Sequence, residues 1–174
     1  MATNQKYSAK PVFYNLKSQT VLTSEYAERY RENGRIKLSR DIHKFDSTHE
    51  FKVYLHLARI YGARRIVLQH PIQVVPKGLC YPNGKNWRVD FAINNYPNLH
   101  KIDYFVEAKG MFTTEFAYTL ALLEQNDPES FSKLRIVFGK SLPTKNRIIT
   151  ALLKTGYRPN LLILSELRQL QQLP

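Results

Sequence analysis

Residues 87–93 read WRVDFAI and residues 103–110 read DYFVEAKG. Both stretches have the apolar character of buried strands. Both are interrupted by charge, Asp90 in the first and Glu107 and Lys109 in the second. An ionised group in a protein core costs several kcal/mol of folding free energy unless it is paired or bound to a metal. The sequence therefore predicts that these residues are kept for chemistry, with a divalent-metal site as the best explanation.

The spacing of the three residues favours a shared site. Glu107 and Lys109 are two apart, and alternate residues of a strand face the same side. Asp90 on a neighbouring strand can join them, and carboxylates are ligands that Mg²⁺ prefers. Two simpler interpretations stay open. Glu107 and Lys109 could form a same-face surface ion pair, and Asp90 could be a structural acid paired with Arg88.

The charge balance of the chain points to a polyanionic partner. Its 174 residues include 26 Lys+Arg against 14 Asp+Glu, a formal net charge of +12. Between residues 50 and 107 the only acids are Asp90 and Asp103, and residues 130–165 contain none. Such a distribution favours nucleic acid over a merely basic surface. The basic residues that we expect to contact phosphates are Lys52, Arg64, Arg65, Arg88, Lys140, Lys145 and Arg147. For Arg88 a plain surface role is equally open.

The remaining composition excludes several classes of protein. A hydrophobic content of 43% is ordinary for a globular chain and argues against a disordered one. Cys80 is the single cysteine, which excludes an internal disulfide and a cysteine-based zinc site. No run approaches the ~18 apolar residues of a membrane span, and residues 1–6 lack the apolar stretch of a signal peptide. We expect an intracellular protein with no membrane partner, in the cytoplasm of a prokaryote or a phage-infected cell.

The order of elements predicts a single α/β domain. Residues 1–45 are expected to form a basic N-terminal arm or helix, with a short helix over 24–31 and a basic part over 29–44 that contacts DNA or is simply solvated.

Ser47 and Glu50 fit a capping box that opens a helix. Strands are predicted at 66–68 and 72–75, with a break or bulge at residues 70–71, and then at 88–93, 104–107, 134–139 and 161–164. A hairpin turn is predicted at residues 82–85. Helices are expected from residue 113 or 114 to 127, from 143 to 155, and after 165. The expected architecture is a central mixed sheet flanked by helices.

This order and these residues resemble the PD-(D/E)XK nuclease superfamily, which has the restriction-endonuclease-like fold. In that family a helix carrying an acid precedes a β-meander, which supplies an Asp and then (Asp/Glu)-x-Lys, and a helix and a strand complete an α-β-β-β-α-β core. Here Glu50 matches the helix acid, Asp90 the strand Asp, and residues 107–109, Glu-Ala-Lys, the closing motif. Val89 stands where the family name has proline. The resemblance covers roughly residues 46–140, and the core with its C-terminal α/β extension would span 46–174.

The resemblance implies an activity and a set of roles. The expected function is a Mg²⁺-dependent endodeoxyribonuclease that hydrolyses DNA phosphodiester bonds, with Mn²⁺ able to substitute. Asp90, Glu107 and the carbonyl of Ala108 would hold the metal. Lys109 would orient or deprotonate the attacking water or stabilise the transition state. Glu50 would assist, although its position as a helix cap is a competing explanation.

The kind of nuclease and its assembly follow from resemblance only. Small phage endonucleases, transposase-subunit nucleases and homing endonucleases of this fold look similar, which favours a phage or mobile-element type. A homodimer or higher homo-oligomer, or a place in a recombination or transposition complex, is expected. The alternative functions are a non-catalytic basic DNA- or RNA-binding module on the same fold and a basic ribosome-associated protein.

Overall fold

The computed structural model describes residues 10–23, 25–26, 41–78, 80–95, 98, 100–143, 147–154 and 161–172. The chain divides into two compact units, residues 1–52 and 53–174. The predicted organisation, one domain with a basic arm or helix up to residue 45, stays a prediction. The residues predicted to bind metal all belong to the second unit.

The first unit contains a small antiparallel sheet. Strand β1 (Val12–Asn15) lies between β2 (Thr20–Val21) and β3 (Ile42–Phe45). Aromatic rings stabilise it, since the rings of Tyr14 and Phe45 lie 5.0 Å and 5.3 Å from the ring of Phe51. The sequence predicted an arm or a helix over residues 1–45 and no sheet; where the structure has these strands, the helix is absent. Of the helix predicted over 24–31, residues 25–26 are helical, and the rest lies outside the described residues.

Helix α1 (Thr48–Tyr61) begins with the predicted cap. The Ser47 hydroxyl accepts a hydrogen bond from the Glu50 backbone N–H at 3.0 Å. The Glu50 carboxylate in turn accepts one from the backbone N–H of Asp46 at 2.8 Å. The capping box is therefore confirmed, with the difference that Glu50 reaches back to Asp46 rather than to Ser47. The helix ends at Gly62, whose φ of 83° is one that glycine adopts without steric cost.

A mixed five-stranded sheet forms the second unit. A 3₁₀ turn (Ala63–Arg65) leads into β4 (Ile66–Val75), which is followed by β5 (Lys85–Asn94), β6 (Ile102–Ala108), β7 (Leu134–Phe138) and β8 (Leu161–Ile163). The strands lie in chain order across the sheet. Strands β4, β5 and β6 form an antiparallel meander, and β7 and β8 run parallel to β6. The remaining elements are α2 (Thr114–Asn126), α3 (Pro128–Lys133), α4 (Arg147–Lys154) and a 3₁₀ helix (Leu164–Gln172). The predicted α/β class with a mixed sheet is confirmed.

Two local predictions were wrong for physical reasons. The break or bulge predicted at residues 70–71 is absent, since Pro71 pairs opposite Arg88 and the register shift of β4 lies between Gln73 and Val75. Pro71 lies on an edge strand, where a missing N–H is tolerated. Helix α3 was not predicted, because the residue before a proline ordinarily ends a helix, as Asp127 before Pro128 does for α2. Asp127 ends α2 and also starts α3, since its side chain accepts a hydrogen bond from the Ser130 N–H at 3.0 Å.

Helix α2 packs on the sheet and so fixes the surroundings of the motif. Thr113 caps it as predicted, because its hydroxyl accepts from the Phe116 N–H at 3.2 Å. Phe116 and Leu123 are buried in a core shared with residues of β4 to β8. At the far end of the helix, the Asn126 amide donates to the Val74 carbonyl at 3.0 Å. The start of α2 lies close to residues 107–109, since the ammonium nitrogen of Lys109 is 4.4 Å from the centre of the Phe116 ring.

Replacing Gly84 with alanine is expected to destabilise the hairpin between β4 and β5. Gly84 has a φ of 67°, and an added Cβ would lie 2.7 Å from the Val75 carbonyl oxygen. The left-handed conformation alone costs about 1–2 kcal/mol for an alanine. We expect the free energy of unfolding, measured by urea denaturation, to fall by about 2 kcal/mol or more. Gly78→Ala is the control, because a Cβ there meets nothing within 4 Å. Equal stability of the two variants would contradict the strain.

Candidate active site

The two acids lie where neighbouring strands separate. Regular pairing of β5 with β6 runs as far as Phe91↔Val106. Next to that pair, the backbone N–H of Asp90 donates to the Glu107 carboxylate at 3.0 Å. The backbone N–H of Ala108 donates to the Asp90 carboxylate at 2.9 Å. Carboxylate oxygens thus take the place of carbonyls in the ladder, and the strands hold the two acids side by side.

Asp90 is also held from the other neighbouring strand. The Gln69 side-chain amide on β4 donates to Asp90 Oδ1 at 3.3 Å, whereas Ala108 on β6 donates to Oδ2. The carboxylate therefore receives a hydrogen bond from each side of the central strand of the meander. Arg88, the structural partner considered for Asp90, is exposed.

Lys109 completes the predicted trio. Its Nζ lies 2.5 Å from Glu107 Oε1 and 4.4 Å from the centre of the Phe116 ring. Its backbone N–H donates to the Val137 carbonyl at 2.8 Å. The ion pair considered for Glu107 and Lys109 is therefore present, but it is not wholly at the surface, since the Glu107 side chain is 3% exposed and that of Lys109 27%. Burial of the acid costs desolvation free energy that an exposed pair does not pay.

The electrostatics of the site favour uptake of a cation or a proton. Burial and the neighbouring Asp90 carboxylate raise the pKa of Glu107 to about 7, against the lowering effect of Lys109 and of the Asp90 N–H. Like charges held this close disfavour joint ionisation. The single positive charge of Lys109 therefore compensates only part of the negative charge that Asp90 and Glu107 carry when both are ionised.

The raised pKa predicts how the stability of the metal-free protein depends on pH. A carboxyl whose pKa is higher in the folded than in the unfolded state stabilises fully below its unfolded value, and the contribution is lost as pH rises through the folded value. For Glu107 this window runs from about 4.5 to about 7. We expect the stability of the native protein relative to Glu107→Gln, measured by urea denaturation in EDTA, to fall across this window. Parallel stability curves would contradict the raised pKa.

The oxygen ligands available at the site suit a divalent cation that needs few protein ligands. Among the described residues, no group of three or more His, Cys, Asp or Glu side chains is placed to hold a metal ion. An all-side-chain cage is therefore missing from this part of the chain. Mg²⁺ is commonly bound by one or two carboxylates and keeps several waters. Asp90 and Glu107, with the backbone carbonyl of Ala108 between Glu107 and Lys109, fit that pattern. Each carboxylate oxygen that accepts one hydrogen bond also has a second lone pair.

Glu50 belongs to the first unit and is 5% exposed. Its position is explained by the cap at the start of α1. A part in catalysis stays a prediction.

The basic residues predicted to contact phosphates lie at different places. Strands β6 and β7 are parallel, so their carboxyl ends, at Ala108 and Phe138, share one edge of the sheet. Lys140 follows β7 at this edge and is exposed, as is Arg88 on β5. Arg64, Lys52 and Arg147 are also exposed, and Lys145 lies outside the described residues.

Arg65 differs from the other basic residues. Its guanidinium lies 3.1 Å from the Asp103 carboxylate and donates to the Asn94 carbonyl at 2.7 Å. The Asn95 amide donates to the second oxygen of Asp103 at 2.7 Å. This group stands at the start of β6, at the end opposite Glu107. The charge of Arg65 is already compensated by Asp103, so the geometry favours a structural role over a phosphate contact.

Sequence reasoning missed Gln69 and Phe116 as neighbours of the acids. Gln69 is a lone amide in the stretch Ile-Val-Leu-Gln-His-Pro, and its contact with Asp90 depends on strand register. Phe116 reads as an ordinary core residue of a helix.

Comparison of the chain with models of protein families, with curated proteins and with solved structures gives no match. In the described part of the chain, no helix combines the length and the apolar character needed to cross a membrane.

Proposed function

We propose that this chain is a Mg²⁺-dependent endodeoxyribonuclease that hydrolyses DNA phosphodiester bonds. The observation that carries the proposal is the pairing of the buried Glu107 with the half-buried Asp90, joined through backbone N–H groups where two strands separate, with Lys109 in contact with Glu107. Holding two carboxylates and a lysine together away from water costs folding free energy. A protein that only binds DNA does not need this arrangement. Perturbed groups of this kind cluster at catalytic sites.

The fold supports the proposal through its order of elements. Helix α1 precedes the meander of β4, β5 and β6, and α2 and the parallel strand β7 follow it. This is the order of the PD-(D/E)XK core, and Asp90 and residues 107–109 take the motif positions on adjacent strands. A restriction-endonuclease-like fold is therefore the finer assignment that we propose.

The metal would be held by the Asp90 and Glu107 carboxylates and the Ala108 carbonyl. A bound Mg²⁺ or Mn²⁺ lowers the pKa of water and neutralises charge on a phosphate. The protein holds both carboxylates rigidly, since Gln69, Ala108 and the Asp90 N–H fix their oxygens. Such preorganisation is the main contribution a protein makes to electrostatic catalysis.

Lys109 is placed to act on the attacking water or on the phosphate. Its ammonium group is held between the Glu107 carboxylate and the face of the Phe116 ring. From there it can donate a hydrogen bond to a water or a phosphate oxygen beside Glu107. A positive charge at that point stabilises the charge that develops on the phosphate in the transition state.

The substrate class follows from charge and from its placement. The net charge of +12 favours a polyanion. The exposed Arg88 and Lys140 lie on the strands that flank Glu107, or directly after them, and can contact phosphates on either side of the bond to be cut. DNA rather than RNA, and a phage or mobile-element origin, come from the resemblance of the motif and are part of the proposal. An intracellular location is part of the proposal as well. Self-association is also proposed, because cutting both strands of a duplex needs two active sites.

The salt dependence of DNA binding tests these phosphate contacts. Each neutralised phosphate adds about −0.9 to the slope of log K against log salt concentration. We expect Arg88→Ala and Lys140→Ala each to make the slope shallower by about 1. Arg65→Ala is expected to leave it unchanged and to lower stability instead, because Asp103 loses its partner. A slope that changes for Arg65→Ala but not for the other two variants would contradict the placement. Fluorescence anisotropy with a labelled duplex provides the measurement.

One assay separates the enzyme from its rivals. Purified protein is incubated with plasmid, branched DNA and RNA, in Mg²⁺ or in EDTA. Cutting of DNA in Mg²⁺ alone supports the endonuclease, and the preferred substrate shows whether DNA is selected by structure. DNA binding without cutting in Mg²⁺ or Mn²⁺ would favour a non-catalytic module, and binding to RNA alone would favour an RNA-binding protein.

A further inference from the structure

Gln69 has a backbone conformation that its place in the fold does not explain. Among the described residues, two that are not glycine have a positive φ, Gln19 at 57° and Gln69 at 52°. Gln19 lies in the connection between β1 and β2, where such values are common. Gln69 lies inside β4, where extended backbone is the rule. Residues forced out of the preferred regions cluster at functional sites.

The register of the strands places this irregularity opposite Asp90. Strands β4 and β5 pair at Leu68↔Phe91 and again at His70↔Val89, which leaves Gln69 facing Asp90 between them. The same pairing holds on both sides, so the irregularity is local. The Gln69 amide then donates to Asp90 Oδ1 at 3.3 Å. The unusual backbone thus coincides with a side-chain contact to the proposed metal ligand.

We propose that Gln69 is a positioning residue of the nuclease site, whose amide fixes the rotation of the Asp90 carboxylate for metal binding. The inference rests on the proposed function. With Oδ2 held by Ala108 and Oδ1 held by Gln69, the carboxylate has one orientation. Hydrogen bonds to ligating carboxylates orient them, and their loss costs about 10–100-fold in metal affinity or activity.

The test uses substitutions that separate the amide from the backbone. Gln69→Met keeps the length of the side chain and removes the donor. Gln69→Gly removes the donor and also relieves the positive φ. Gln19→Gly is the control, because it relieves a positive φ in the turn between β1 and β2, in the first unit of the chain. Mn²⁺ affinity is measured by calorimetry, and the melting temperature is measured in EDTA.

The expected result is a loss of about 10–100-fold in Mn²⁺ affinity for both Gln69 variants and none for Gln19→Gly. Metal-free Gln69→Gly should melt at or above the temperature of the wild type, which shows that the affinity loss is not a loss of folding. If the wild type binds Mn²⁺ and both Gln69 variants bind it equally well, the positioning role is overturned and the proposed function stands. If the wild type neither binds Mn²⁺ nor cuts DNA, the proposed function fails, and the positioning role fails with it.

Discussion

Asp90→Asn is expected to abolish divalent-metal binding and to lower the rate of DNA cutting by about 1,000-fold or more, since a metal site supplies several kcal/mol of transition-state stabilisation. The substitution removes one of two carboxylates at the site. The Asp90 carboxylate accepts hydrogen bonds from Gln69 and Ala108 on its two oxygens. An asparagine amide has one acceptor oxygen and one NH₂ donor, so it can accept only on one side. Calorimetry with Mn²⁺ and single-turnover cutting of plasmid in Mg²⁺ measure the two losses.

Asp103→Asn is the matched control for Asp90→Asn. Asp103 is on the neighbouring strand β6 and carries the same carboxylate, but its partners are Arg65 and Asn95 at the other end of that strand. Removal of its charge should lower stability and leave metal binding and cutting in place. Equal losses of metal affinity in the two variants would contradict a site at Asp90, because a general loss of folding would then explain both.

Lys109→Met is expected to keep metal binding and lose about 100- to 1,000-fold in cutting rate, the range for removal of one group that stabilises transition-state charge. Methionine keeps an aliphatic chain and a favourable contact with the Phe116 ring. What the variant loses is the ammonium group beside Glu107 Oε1. The measurement is the single-turnover cutting rate at saturating DNA, with Mn²⁺ affinity determined in parallel.

Lys133→Met is the control for Lys109→Met, because it makes the same substitution at a residue outside the proposed active site. Lys133 pairs with Glu129 at 2.6 Å on the surface of α3, and such exposed pairs contribute little to stability. Its cutting rate should equal that of the wild type. If Lys109→Met also cuts at the wild-type rate, Lys109 has no part in the reaction. If it loses metal affinity as strongly as Asp90→Asn, its role is to hold the site together.

The parts of the site that sequence reasoning predicted are those that obey local rules. Strand alternation was enough to place Glu107 and Lys109 on one face, and their contact confirms it. The capping box at Ser47 and Glu50 depends on residues three apart and was recognised in the same way. Turn chemistry located the hairpin at Gly84, whose positive φ glycine adopts freely.

The parts that were missed depend on long-range register. The contact of Gln69 with Asp90 joins residues 21 apart on different strands, and that of Arg65 with Asp103 joins residues 38 apart. No local pattern records either contact. The end of regular pairing between β5 and β6 at Phe91 is likewise a matter of register between strands. The first sheet was missed because β1, β2 and β3 are too short for alternation to stand out.

The most direct test of the account is the rate of plasmid cutting as a function of Mg²⁺ concentration, for the wild type and Asp90→Asn side by side. We expect the wild-type rate to be zero in EDTA, to rise with Mg²⁺ and to saturate, while Asp90→Asn stays at the background rate throughout. Cutting that persists in EDTA, or that is equal in the two proteins, would contradict the assignment of a metal-dependent nuclease site to Asp90, Glu107 and Lys109.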